Sequence, residues 1–328
     1  MIKSFFWNKK WRIWAWGGGL FLLISLYAQV YMTVLLNEWY KEFYNLLQVA
    51  ISYKDNVDVG IQKFYNNILK FCWIAMPYVI LATITQYFTR LYAFRWREAM
   101  TFNYIPRWQL VEQDIEGSSQ RIQEDCYRFT RIVETLGLQI VRALLTLVAF
   151  IPILYALSSK VDIEFIKDID GSLVWLALIV SLGGMAISWF VGIKLPGLEY
   201  NNQKCEASFR KELVLGEEDK INYCSTPILK GLFKEVKINY HRLFLHYGYF
   251  DIWIAIYDQF MTIVPYLIMA PGLFSGMITL GIMIQVSNAF TKCHSSFALF
   301  IHNWTTITEL RSIWKRLHEF ENNLNKYN

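Results

Sequence analysis

GSLVWLALIVSLGGMAISWFVGI (Gly171–Ile193) carries no charge and passes straight into KLPGLEYNNQKCEASFRKELVLGEED (Lys194–Asp219). The first run is long enough to cross a bilayer, since about twenty apolar residues span the hydrocarbon core. The second turns abruptly polar without looking like a loop and reads as a helix, interrupted by Gly216 just before Glu217. Glu199, Glu206 and Glu217 are spaced by seven and eleven residues. At roughly 100° per residue these steps miss whole turns by about 20° in opposite senses, so the three carboxylates share one stripe with Arg210. At about 1.5 Å per residue the stripe is roughly 27 Å long. A ladder of acids leading out of a membrane helix is either a solvated face or a path for a cation, a proton or a basic ligand. The i, i+4 pair Glu206/Arg210 suits an ordinary exposed helix.

The whole chain has the composition of an integral membrane protein. It has 328 residues, of which 55% are hydrophobic, 17% aromatic and only 18% charged. A soluble domain carries about a quarter charged residues. The net charge of +5 comes from basic residues flanking apolar runs, which gives no nucleic-acid patch. The five cysteines, Cys72, Cys126, Cys205, Cys224 and Cys293, are scattered and form no CxxC or Cys/His cluster. Neither a disulfide framework nor a metal site is indicated, and no cofactor is expected. The histidines show no ligand spacing.

Outward from the opening stretch, the pattern predicts six spans: 13–36, 71–89, 135–159, 171–193, 248–270 and 277–302. Trp11, Trp14 and Trp16 begin the first as an interfacial belt. The first apolar run is too long for a signal-peptide core, so it is read as a retained membrane helix. Residues 37–70 read as mixed and amphipathic. Pro77 lies within the second span and is expected to kink it. From Glu98 to Glu134 charges recur at helical spacing, broken by Gly117-Ser118-Ser119, which predicts two helices beyond the membrane joined by a tight turn. An acidic loop with Asp162, Glu164, Asp168 and Asp170 precedes the fourth span. The uncharged run Gln259–Thr291 is too long for one helix, and Pro271-Gly272 with Ser275-Gly276 divides it.

Lys and Arg cluster before span one, between spans two and three, between four and five, and after span six. The positive-inside rule then puts both termini in the cytoplasm, with long cytoplasmic helical extensions and short outer connections. One six-helix chain encloses little space, so a homodimer is expected, with Gly17–Gly19 and Gly183-Gly184 as close-packing faces. Three charges fall inside spans: Arg142, Asp258 and Lys292. Arg142 shares a stripe with Arg131 and Glu124 by the same seven-and-eleven spacing, and is either functional or in a structural ion pair. Asp258 and Lys292 lie at comparable depth from the Pro271 turn and are expected to pair.

This all-α, polytopic plan resembles the transmembrane domain of an ABC exporter. No GxxxxGK[ST] loop occurs in the sequence, so no nucleotide-binding domain is expected within it. FRWREAMT (Phe94–Thr101), IEGSSQRIQED (Ile115–Asp125), VGIKLPGLE (Val191–Glu199), RKELVLGEED (Arg210–Asp219), TLGIMIQ (Thr279–Gln285) and NWTTITEL (Asn303–Leu310) together resemble the SbmA/BacA family of bacterial inner-membrane peptide transporters. The resemblance runs from about Trp11 to Glu321, without the amino-terminal extension of longer members. It implies a single transporter domain over 1–328, a homodimer in the inner membrane, and proton-driven import of peptides such as antimicrobial peptides and microcins. It also implies that acidic residues carry the coupling. The matching positions are Glu124, Glu134, Glu206 and Glu217, and two of them already lie on the stripe with Glu199, which favours the functional ladder. A carboxylate beside a low-dielectric cavity has its pKa raised and can cycle between charged and neutral forms. The competing expectation is the transmembrane subunit of an ABC exporter whose ATPase is a separate chain docking near Ile115–Gln120. A non-transporting membrane protein has no catalytic constellation to support it.

Overall fold

The computed structural model describes residues 1–112, 115, 117–163, 169–219, 223 and 225–327. Of the acidic loop before the fourth expected span, Glu164 and Asp168 lie outside the described residues, as does Cys224. The described chain is helical, with no strand: α1 (Ile2–Phe6), α2 (Arg12–Gln48), α3 (Val57–Gln109), α4 (Ser118–Ser158), α5 (Ser172–Gly192), α6 (Leu195–Glu218), α7 (Thr226–Phe274), α8 (Leu280–His302) and α9 (Trp304–Tyr327).

Five of these helical stretches are long and apolar enough to cross a membrane: Arg12–Gln48, Val57–Gln109, Ser118–Ser158, Ser172–Glu217 and Thr226–Phe274. The expected sixth, α8, has 23 residues and is long enough, but Gln285, Asn288, Lys292 and His294 dilute its hydropathy. Helices of 37, 53 and 49 residues (α2, α3, α7) measure about 56, 80 and 74 Å, against a hydrocarbon core of about 30 Å. Each is at least about twice as long as a bilayer crossing requires. The amphipathic stretch 37–70 is part of this: α2 runs twelve residues past Leu36, and only a short 3₁₀ turn (Ala50–Tyr53) separates it from α3. Trp39 locks that hairpin, stacking on Phe43 and donating to the Asn67 carbonyl at 2.8 Å. Helix α3 continues through Pro77 and Pro106.

The predicted turns sit where their chemistry requires. Gly117 opens α4 with φ 71°, a left-handed conformation that costs glycine nothing. Gly276 (φ 77°) turns the chain between α7 and α8; α7 passes Pro271 and ends at Phe274.

The chain divides into two compact units. One comprises Met1–Leu178 and the segment from Val264 onward; the other is Ile179–Ile263. In the first, α2 packs against α3, α4 and α8. Helix α8 starts against α2: the amides of Leu280 and Gly281 donate to Gln48 Oε1 (2.9 Å) and Asn45 Oδ1 (3.0 Å). This satisfies two amides that a helix start leaves free. The approach is so close that a methyl group at Gly281 would overlap the Lys41 carbonyl. A second core, with Phe5, Trp96, Tyr104, Phe129, Leu317 and Phe320, fixes α9 onto α3 and the start of α4. In the second unit, Tyr257 lies flat on Gly184 and donates to the Val180 carbonyl at 3.0 Å. Gly184 and Gly18, the latter under Tyr92, are therefore close-packing positions within the chain, while Gly17 and Gly183 remain open.

Candidate functional site

Helix α4 carries two wide π-helical turns, Arg121–Asp125 and Val133–Gly137, and each holds one of the expected acids, Glu124 and Glu134. Such turns inside an α-helix occur often at functional sites. They also change the helical phase, so the ideal-helix spacing that aligned Glu124, Arg131 and Arg142 does not carry through Val133–Gly137. The structure instead brings Glu134 and Arg142 to the wall of one cavity, of about 330 Å³, together with Ala82, Gln86, Thr89, Thr135, Leu138 and Gln139.

Arg142 is not in an ion pair among the described residues. Its guanidinium donates to Gln29 Oε1 at 2.8 Å. Gln29 in turn donates to Thr85 Oγ1 at 2.7 Å, Thr85 bonds Ser25, and Thr85 also donates to the Leu81 carbonyl at 2.6 Å. Gln29 and Thr85 are 2% and 1% exposed, so this network belongs to the interior of the unit and fixes the arginine in place. Glu134 is half-buried, with Arg90 Nε at 3.9 Å. Sequence reading missed Ser25, Gln29, Thr85 and Gln86. Their signal was available as polar residues inside apolar spans, Ser25 and Gln29 at i, i+4.

Glu124 does not reach this cavity. It pairs with Arg128 at 2.6 Å and accepts from Gln120 at 3.1 Å. Its neighbour Asp125 is a buried charged node that joins α4 to α9. Arg316 of α9 grips both its oxygens (2.7 and 3.0 Å) and Arg121 adds a third bond at 2.8 Å. Burial pushes the Asp125 pKa up, but the hydrogen bonds and charges of Arg316 and Arg121 outweigh it and hold the carboxyl below its ordinary value.

In the second unit, α6 runs unbroken through Gly216 to Glu218, so Glu199, Glu206 and Glu217 stand on one helix as the spacing predicts. Glu206 is half-buried and lines a cavity of about 550 Å³ with Phe233, Val236, Lys237, Tyr240, His241 and Phe244. A carboxylate among aromatic faces is suited to a cationic ligand. Glu199 is half-buried and Glu217 is exposed. Asp258 falls in the second unit and Lys292 in the first, and both are exposed.

Comparison with known proteins places this arrangement. The sequence profile of the SbmA/BacA-like family matches residues 8–325. The inner membrane ABC transporter ATP-binding protein YddA of Escherichia coli is 25% identical over 92% of this chain and 56% of its own length. The chloroplastic ABC transporter D family member 2 of Arabidopsis thaliana is 26% identical over 86% of this chain and 39% of its own. An ABC transporter ATP-binding protein of Haemophilus influenzae is 22% identical, over 92% and 52%. The chain thus spans about half the length of the curated relatives it matches. With five helices long and apolar enough to cross a membrane, and with ABC-transporter-like proteins similar to it across nearly its full length, the chain belongs to the SbmA/BacA-like family.

Proposed function

We propose that the protein imports peptides across a bacterial inner membrane, driven by the proton gradient, as a homodimer of six-span chains with both termini in the cytoplasm. The family match over residues 8–325 carries this reading. Two half-buried carboxylates in cavities support it: Glu134 in the first unit and Glu206 in the second. An acid in such a place takes up a proton from the more acidic side and releases it on the other. Ionised, it attracts a cationic peptide; neutral, it lets the peptide go. Glu124, Glu199 and Glu217 extend the acidic set along α4 and α6.

A second reading, the transmembrane subunit of an ABC transporter working with a separate ATPase chain, has support from the relatives, whose names include ATP-binding proteins. Uptake into proteoliposomes distinguishes the two. An imposed pH gradient without ATP should drive accumulation of a labelled cationic peptide. Accumulation that depends on ATP and an added ATPase subunit, and ignores the gradient, would establish the second reading instead.

A further inference from the structure

Arg142 is a cation within a membrane span whose one side-chain hydrogen-bond partner among the described residues is a neutral amide, Gln29. No carboxylate lies within 4.0 Å of it among those residues. A guanidinium has five donors, so most of its hydrogen-bonding capacity remains. The Gln29–Thr85–Ser25 network prevents it from swinging away. A half-buried, immobilised and incompletely paired arginine on a cavity wall is an anion site, and its planar fork matches a carboxylate.

The rest of the wall narrows the occupant. Gln86, Thr89 and Gln139 offer amide and hydroxyl groups that suit peptide bonds rather than a hydrocarbon chain. Glu134 lies eight residues before Arg142, about 12 Å along the helix. It repels a second anion and attracts an ammonium or guanidinium. An extended peptide advances about 3.3 Å per residue, so roughly three to four residues bridge the two charges. A volume of about 330 Å³ is at the small end of ligand pockets and holds the end of a chain, not its length.

Building on the peptide-import reading, we propose that this cavity is a carboxyl-terminus subsite: Arg142 binds the free α-carboxylate of the cargo while Glu134 holds a basic residue three or four positions earlier. The test uses the full-length protein in nanodiscs of zwitterionic lipid and a fluorescein-labelled arginine-rich peptide in two forms, free acid and carboxyl-terminal amide. Charge-assisted hydrogen bonds are worth enough to separate the two by about tenfold or more in Kd. The wild type should prefer the acid by that factor, and Arg142→Gln, which keeps a bond to Gln29, should bind both forms alike. Equal binding of acid and amide by the wild type overturns the subsite while leaving peptide transport intact, as does a preference that survives in Arg142→Gln. Loss of the preference when anionic lipid is added assigns the guanidinium to lipid phosphate and also overturns it. Binding of neither form removes the peptide reading and the subsite with it.

Discussion

Asp125 and Arg142 stand on the same helix and are treated in opposite ways by their surroundings. Asp125 is saturated: two arginines give it three hydrogen bonds, and one of them arrives from α9, 191 residues away. Arg142 is held by a single neutral amide beside a cavity. The first arrangement leaves no capacity for a ligand and ties two distant helices together. The second spends only enough bonding to fix the side chain and leaves the rest for something that comes and goes. Glu134 and Glu206 belong with Arg142 in this respect, half-buried on cavity walls, whereas Glu124 sits in the ion-paired region around α9.

Removing a saturated charge should give the largest change in stability. Asp125→Asn leaves Arg316 and Arg121 without their anion, at a cost of about 3 kcal/mol, to be read as a fall in apparent Tm. Because the folded-state pKa of Asp125 is held below the unfolded value of about 3.9, its contribution is present above that pH and lost as pH falls toward the folded value. The wild type should therefore lose Tm in strong acid more steeply than Asp125→Asn, and parallel curves would remove Asp125 from the account.

The cavity acids should behave conversely. Glu134→Gln and Glu206→Gln keep shape and hydrogen bonding but cannot cycle charge, so pH-driven peptide uptake should fall at least tenfold while Tm stays near wild type. Exposed or structural acids would show little effect on uptake, since exposed pairs are worth about 0–1 kcal/mol. Glu199→Gln, nearest the membrane exit beside Pro196-Gly197, should cost less uptake than either. Gln29→Leu should lower stability by about 2 kcal/mol, less than Asp125→Asn, through the lost bonds to Arg142 and Thr85, checked by Tm.

Local patterns were legible from the chain, and contacts between distant parts were not. The turn at Gly117 was readable because a glycine-serine cluster interrupted a helical charge pattern. The α6 stripe was readable because it lies on one unbroken helix. The α4 stripe was misread because π-turns at Arg121–Asp125 and Val133–Gly137 shift the phase without any marker in composition. Helix α3 stays helical through the polar residues after Glu98, as their spacing suggested, while α2 runs past its apolar run because aromatic contacts such as Trp39 on Phe43 support it. The Gln29–Arg142 bond joins residues 113 apart, which no spacing rule can reveal. The expected sixth span, 277–302, is helical as α8, but it is not among the helices apolar enough to cross a membrane, because Gln285, Asn288, Lys292 and His294 interrupt its apolar run.

The most direct test of the distinction between saturated and available charges measures uptake and apparent Tm side by side for Asp125→Asn and Glu134→Gln in the same proteoliposome preparation. The account predicts a crossed result: Asp125→Asn melts earlier yet its folded fraction still takes up peptide under a pH gradient, while Glu134→Gln melts with the wild type and takes up at least tenfold less. Full gradient-driven uptake by Glu134→Gln, with unchanged stability in Asp125→Asn, would contradict it.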